Sequence, residues 1–180
     1  GTLDLNGKTE TVNGLTGSGV ITNSSATAVT FTVCNRGVSS TFTFDGYLKG
    51  NLALIKAQSN PILVLTRQNT YTGGTTNKNG TLRLGTDNAL PPTTFLARGI
   101  SGDANTLDWA GYSQQVGGLT QGTTNNNAKI ANSSTNSDST LTFSNSVSAS
   151  TYAGAIVDTV SGGTRKVNLT VAGGTLTLAG

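Results

Sequence analysis

Apolar residues in this chain recur at every second position in short runs, and no window shows the three-to-four spacing of a helix. Thr81-Leu82-Arg83-Leu84 sets two leucines on one side of a strand, with Thr81 and Arg83 on the other. Comparable runs lie near residues 2–5, 12–16, 28–33, 41–44, 52–55, 62–66, 81–84 and 94–97. Clusters of Gly, Asn, Asp, Ser or Pro separate most of them, so the pattern predicts many short strands and almost no helix. Pro61 and Pro91-Pro92 fall at strand starts or in turns, where a missing N–H is harmless. The fullest unit is Asn69 to Gly85, in which Gly73-Gly74 and the Asn77–Gly80 cluster read as turns between strand-like pieces.

Longer recurrences overlie the strand pattern. Thr2-Leu3-Asp4-Leu5-Asn6-Gly7 returns as Thr106-Leu107-Asp108-Trp109-Ala110-Gly111, and Val12-Asn13-Gly14-Leu15-Thr16 as Val116-Gly117-Gly118-Leu119-Thr120, both 104 residues on. Asn23-Ser24-Ser25 returns as Asn132-Ser133-Ser134. Thr30 to Asn35 returns as Thr140 to Asn145, and Ser40-Thr41-Phe42 as Ser150-Thr151-Tyr152, both at offset 110. Leu63-Val64-Leu65 matches Leu176-Thr177-Leu178 at offset 113. A growing offset with conserved strand segments means insertions in turns, such as 123–127. The chain reads as one continuous segment: a first unit of about 1–104 and a partial second of about 105–180. Gly1-Thr2 opens directly on a strand pattern and Gly180 follows a regular Gly-Thr-Leu-Thr-Leu, so the expectation is a slice of a longer repetitive tract.

Repetition that keeps strands while turns change length favours a right-handed parallel β-helix (β-solenoid) of triangular coils. Leu3, Leu5, Leu63, Leu65, Leu82, Leu84, Leu107, Leu176 and Leu178 are expected to point inward, with Thr, Asn and Ser outward. A β-sandwich is the alternative. Composition agrees with an all-β chain: there are 32 Thr beside 24 Gly, and charged residues are only 11%. Net charge is +3, spread without a basic run, which argues against nucleic acid as a partner. Cys34 is the single cysteine, so it forms no intrachain disulfide, and no cofactor or metal set is visible. No His is present, which removes the commonest general base. No apolar run approaches the ~18 residues of a membrane helix.

Leu54-Ile55-Lys56, Leu63-Val64-Leu65, Asn69-Thr70-Tyr71-Thr72-Gly73-Gly74-Thr75-Thr76 and Gly80-Thr81-Leu82-Arg83-Leu84-Gly85 together resemble the autotransporter-associated β-strand repeat, also called the passenger-associated transport repeat. The Asn-Thr-Tyr-Thr-Gly-Gly block is the most specific part. Asn60-Pro61-Ile62 departs from the Gly-x-Gly-Thr that usually precedes it, and Gly173 to Leu178 restores that form. Asn88-Ala89-Leu90-Pro91, Thr106 to Trp109 and Val116 to Leu119 resemble sequence flanking such repeats in large bacterial surface proteins. The resemblance implies a β-helix passenger displayed at the cell surface or released outside it, the repeat aiding secretion and folding. The expected role is a non-catalytic structural or adhesive module. Its expected partners are further repeats of the same chain or identical subunits end to end, and surface glycans.

The competing reading is a β-helix enzyme acting on polysaccharide, for which Asp103 and Asp108, with Arg98 nearby, are the candidates. Asp4 and Asp108 occupy matching repeat positions, which favours a turn or ladder role over catalysis. Thr-x-Thr pairs at Thr30, Thr41, Thr140 and Thr175 raise a lattice-matching surface, but they sit at different points of the repeat. Tyr47, Trp109, Tyr112 and Tyr152 could stack sugars or fill turns and core. Asn79-Gly80-Thr81 and Asn168-Leu169-Thr170 match the glycosylation sequon.

Overall fold

The computed structural model describes residues 1–34, 36, 39–98, 105–121, 127–145 and 149–179. These form a right-handed parallel β-solenoid of about 7 turns, with no helix among them. The first coil carries β1 (Thr2–Asp4) and β2 (Glu10–Thr11). Three-strand coils follow: β3 (Val20–Asn23), β4 (Val29–Val33), β5 (Thr41–Phe44); then β6 (Tyr47–Gly50), β7 (Leu52–Lys56), β8 (Ile62–Leu65); then β9 (Thr70–Tyr71), β10 (Thr75–Asn77), β11 (Gly80–Leu84). The remaining strands are β12 (Phe95–Arg98), β13 (Asn105–Asp108), β14 (Gln114–Val116), β15 (Gly118–Gln121), β16 (Lys129–Asn132), β17 (Ser139–Ser144), β18 (Ser150–Tyr152), β19 (Ala155–Thr159), β20 (Val167–Gly173) and β21 (Leu176–Leu178).

Each coil visits three faces. The first face is β1-β3-β6-β9, continued by β14-β17-β20; the joining segment runs through Asn88 and Ala89, whose backbone bonds Ser113 on one side and Asn69 on the other. The second is β2-β4-β7-β10-β12-β15, with β18-β21 beyond it, and the third is β5-β8-β11-β13-β16-β19. Every strand pair among the described residues is parallel, which excludes the sandwich.

Register stacks like on like. Phe42, Leu63, Leu82, Leu107, Ile130 and Ile156 form one column inside the third face, and Phe44, Leu65 and Leu84 a second. On the second face Phe31, Leu54, Thr75, Leu96 and Leu119 are aligned and buried. Strands lie ~4.7–4.9 Å apart, so each inward side chain rests on the one in the next coil. A narrow core is thereby closed with only 34% hydrophobic residues.

Three details differ from expectation. Residues 12–16 form no strand; the strand there is the two-residue β2, and the chain then turns inward to bury Leu15. β3 and β6 were not anticipated, because each carries too few apolar residues to show alternation. Leu3, Leu176 and Leu178 occupy inward register positions, opposite Ile21, Ser150 and Tyr152, yet Leu3 is 51% and Leu178 52% exposed and Leu176 is half-buried. Each lies on a strand paired along one edge only. Leu5, Leu63, Leu65, Leu82, Leu84 and Leu107 are buried as expected.

The matched segments of the long recurrence fall on different faces. Thr2-Leu3-Asp4 lies on the first face and Thr106-Leu107-Asp108 on the third; Thr30-Phe31-Thr32 lies on the second and Thr140-Leu141-Thr142 on the first. The recurrence is therefore not a whole number of coils.

Candidate functional site

The Asn-Thr-Tyr-Thr-Gly-Gly block forms a corner that ties three coils together. Asn69 is buried; its Oδ1 accepts the Leu48 N–H at 2.6 Å, and its Nδ2 donates to the carbonyls of Ala89 (2.7 Å) and Arg67 (2.9 Å). One amide thus satisfies backbone groups in the coils before and after its own. Tyr71 is fully buried, its hydroxyl 2.6 Å from Thr75 Oγ1, which lies 2.9 Å from Thr94 Oγ1 in the next coil. Burial pushes the Tyr71 phenol well above its usual range, so it acts as a neutral hydrogen-bonding group. Gly73 packs against the Leu52 carbonyl, where a Cβ would come within 2.5 Å.

Asp4 and Asp108 build one and the same turn. Asn6 and Gly7 have φ of 44° and 78°, and Lys8 N–H reaches Leu5 O at 2.8 Å; Ala110 and Gly111 have φ of 50° and 89°, and Tyr112 N–H reaches Trp109 O at 2.8 Å. Positive φ at both central positions is the type I′ signature. Asp4 Oδ1 accepts the N–H groups of Asn6 and, from the next coil, Ser24; Asp108 Oδ1 accepts those of Ala110 and Ser133. The Asn-Ser-Ser recurrence answers from that next coil: Asn23 donates Nδ2 to the carbonyls of Thr27 and Asn51, with Ser25 O a longer third partner at 3.5 Å, and Asn132 donates to those of Ser137 and Lys166. The second oxygens differ. Asp4 Oδ2 takes the Ser24 hydroxyl at 2.6 Å, and buried Asp108 Oδ2 takes Arg83 Nε at 2.6 Å. Both carboxylates are anchored to turns and neighbouring coils. The Ser24 hydrogen bonds hold the Asp4 carboxyl below its ordinary pKa.

Of the other candidates, Asp103 lies outside the described residues, and Arg98 ends β12 with its side chain outside them too. No group of three His, Cys, Asp or Glu among the described residues could hold a metal. Trp109 and Tyr152 are fully buried and offer no sugar platform; Tyr47 and Tyr112 remain 38% exposed. The Thr-x-Thr pairs are spread over all three faces. Asn79 is buried, its Oδ1 accepting the Gly80 N–H, whereas Asn168 is exposed on β20.

Sequence reasoning missed Lys56, which is fully buried and donates from Nζ to the carbonyls of Gln58 and Asn79. Burial lowers its pKa from 10.5 to about 8. The signal was present: Leu52, Leu54 and Lys56 share one side of β7. Cys34 is buried at the end of β4 with φ of 57°, and burial raises its thiol pKa.

A scan against family models finds no match, and searches of curated proteins and of solved structures find none either. The likeness of Leu54–Gly85 to the autotransporter-associated repeat rests on those residues alone.

Proposed function

We propose that this chain is a non-catalytic structural and adhesive segment of an exported bacterial surface or extracellular protein, in which the repeat block aids secretion and folding. The observation that carries the reading is the use made of the special residues. Asn69, Gly73, Asp4, Asp108, Asn23 and Asn132 each tie one coil to the next, and Tyr71 does so through Thr75 and Thr94. Among the candidate carboxylates, Asp108 is fixed by Arg83 and two backbone N–H groups, leaving it poorly suited to shuttling a proton. The coil ends, with β1 and β21 paired along one edge, suit the addition of further coils. No helix among the described residues is long and apolar enough to cross a membrane.

Antibody raised against the purified chain should label intact cells of the source organism, and external protease should remove the label. Labelling that appears only after lysis overturns the export reading. Release of reducing ends from a polysaccharide panel, lost on Asp108→Asn, would return the chain to the enzymes.

A further inference from the structure

The corner where the third face turns into the first carries an exposed groove of about 330 Å³, lined by Tyr47, Thr66, Arg67, Gln68, Thr70 and Thr86. Tyr47 opens β6 and is 38% exposed. Lys49, two residues on and on the same side of the strand, sets Nζ 4.9 Å from the ring centroid, and Tyr47 supplies the aromatic part of the groove lining. The polar wall is held in place by its own partners. Arg67 Nε lies 2.9 Å from Asp45 Oδ1 and its Nη2 donates to Oδ2 at 3.3 Å; the Thr66 hydroxyl donates to the same carboxylate at 2.7 Å. Gln68 Nε2 donates to the Asp87 carbonyl at 3.1 Å, which leaves its Oε1 as an acceptor. Thr70 and Thr86 add hydroxyls.

We propose that this groove binds a neutral pyranose unit of a glycan, a site that rests on the adhesive reading above and gives it a place. An aromatic face takes the C–H face of a sugar ring, while a few oriented polar groups fix its hydroxyls. Pre-paired side chains lose little freedom on binding, and here Arg67 and Gln68 are already tethered to Asp45 and Asp87. The charge decides the class of sugar: Arg67 and Lys49 on one side of the balance and Asp45 and Asp87 on the other flank the groove, so it carries no net charge suited to a uronic or sialic acid. The groove is shallow, so one sugar unit binds weakly and repeated units along a polymer supply avidity.

The test is amide NMR titration of the purified 180-residue chain with the methyl glycosides of glucose, galactose, mannose and N-acetylglucosamine and their short homo-oligomers, and with methyl glucuronide as the acidic comparison. Shifts should concentrate at residues 45–50, 66–70 and 86–87 for at least one of these. Tyr47→Ala and Arg67→Ala should weaken that sugar about tenfold or more. Tyr47→Phe, which keeps the ring, and Phe95→Ala, whose exposed ring lies on the second face, should leave it unchanged. No response to any of the sugars, shifts centred elsewhere, binding that survives Tyr47→Ala in a folded variant, or preference for an acidic sugar that salt abolishes, each overturns the proposal. Those failures concern the groove alone; the export reading falls only by the cell-labelling result.

Discussion

Lys56 buries an ammonium in the core, a costly group to take from water. Lys56 replaces two water partners with two carbonyls and still titrates at about 8 against 10.5 in the unfolded chain. Between those values the unfolded state binds more protons than the folded one, so stability rises with pH across that window, and it is lower below pH 8 where both states are charged. Melting temperature should therefore climb from pH 7 to pH 10 more steeply in the wild type than in Lys56→Met, which removes the titration; parallel curves would show that Lys56 does not carry the effect. Ala110 is a second strained position. It sits at φ 50° in the turn where Asn6 stands in the other copy. An L-alanine there is disfavoured by ~1–2 kcal/mol, and glycine's greater chain entropy returns part of that, so Ala110→Gly should raise stability by about 0.5–1 kcal/mol in urea unfolding.

At the scale of elements, the corners hold the strands in register. Asn69→Ala would leave the buried Leu48 N–H without its amide partner, a loss of ~1–3 kcal/mol, while the Ala89 carbonyl keeps the backbone N–H of residue 69. Leu82→Ala opens a cavity in the third-face column and should lower stability by ~2–5 kcal/mol. Chemical denaturation of both variants checks these values; a change below ~0.5 kcal/mol for Asn69→Ala would mean that water replaces the staple. How far each element could be read in the sequence follows from the same geometry. β5, β8 and β11 alternate over four or five residues and were legible. β6 buries only Leu48 and β9 only Tyr71, so their pairing is decided by neighbours the local pattern does not contain. Coil length also varies: Thr2 pairs with Val20, eighteen residues on, and Leu141 with Leu169, twenty-eight on, so no short period exists to find. The Asp4 and Asp108 turns were legible as a repeated position, since turn chemistry is local. The groove at Tyr47 was not, because Asp45, Arg67 and Thr86 meet only once three coils are stacked.

At the scale of the whole molecule, the interior shows what each coil end accepts. Thr106-Leu107-Asp108 repeats Thr2-Leu3-Asp4, and in β13 it pairs on both sides, with β11 before it and β16 after it. Leu107 is fully buried there, whereas Leu3 in β1, paired only with β3, is 51% exposed. At the opposite end Leu169, Val171 and Leu178 face inward in register with Leu141, Phe143 and Tyr152 and are 37%, 51% and 52% exposed. An added coil would cover these side chains, each worth ~1.5–3 kcal/mol when fully buried, and would pair the free backbone edges at the same time. The two ends are different surfaces, so a contact between them would be head to tail and would grow as a filament unless its rotation closed a ring. Light scattering on the purified 180-residue chain should accordingly report a mass that rises steadily with concentration. Val171→Lys, which places a charge in the joint, should hold the chain monomeric with its melting temperature little changed. A wild-type mass fixed at one chain over the whole series would mean that the exposed leucines and edges are too small to recruit another coil.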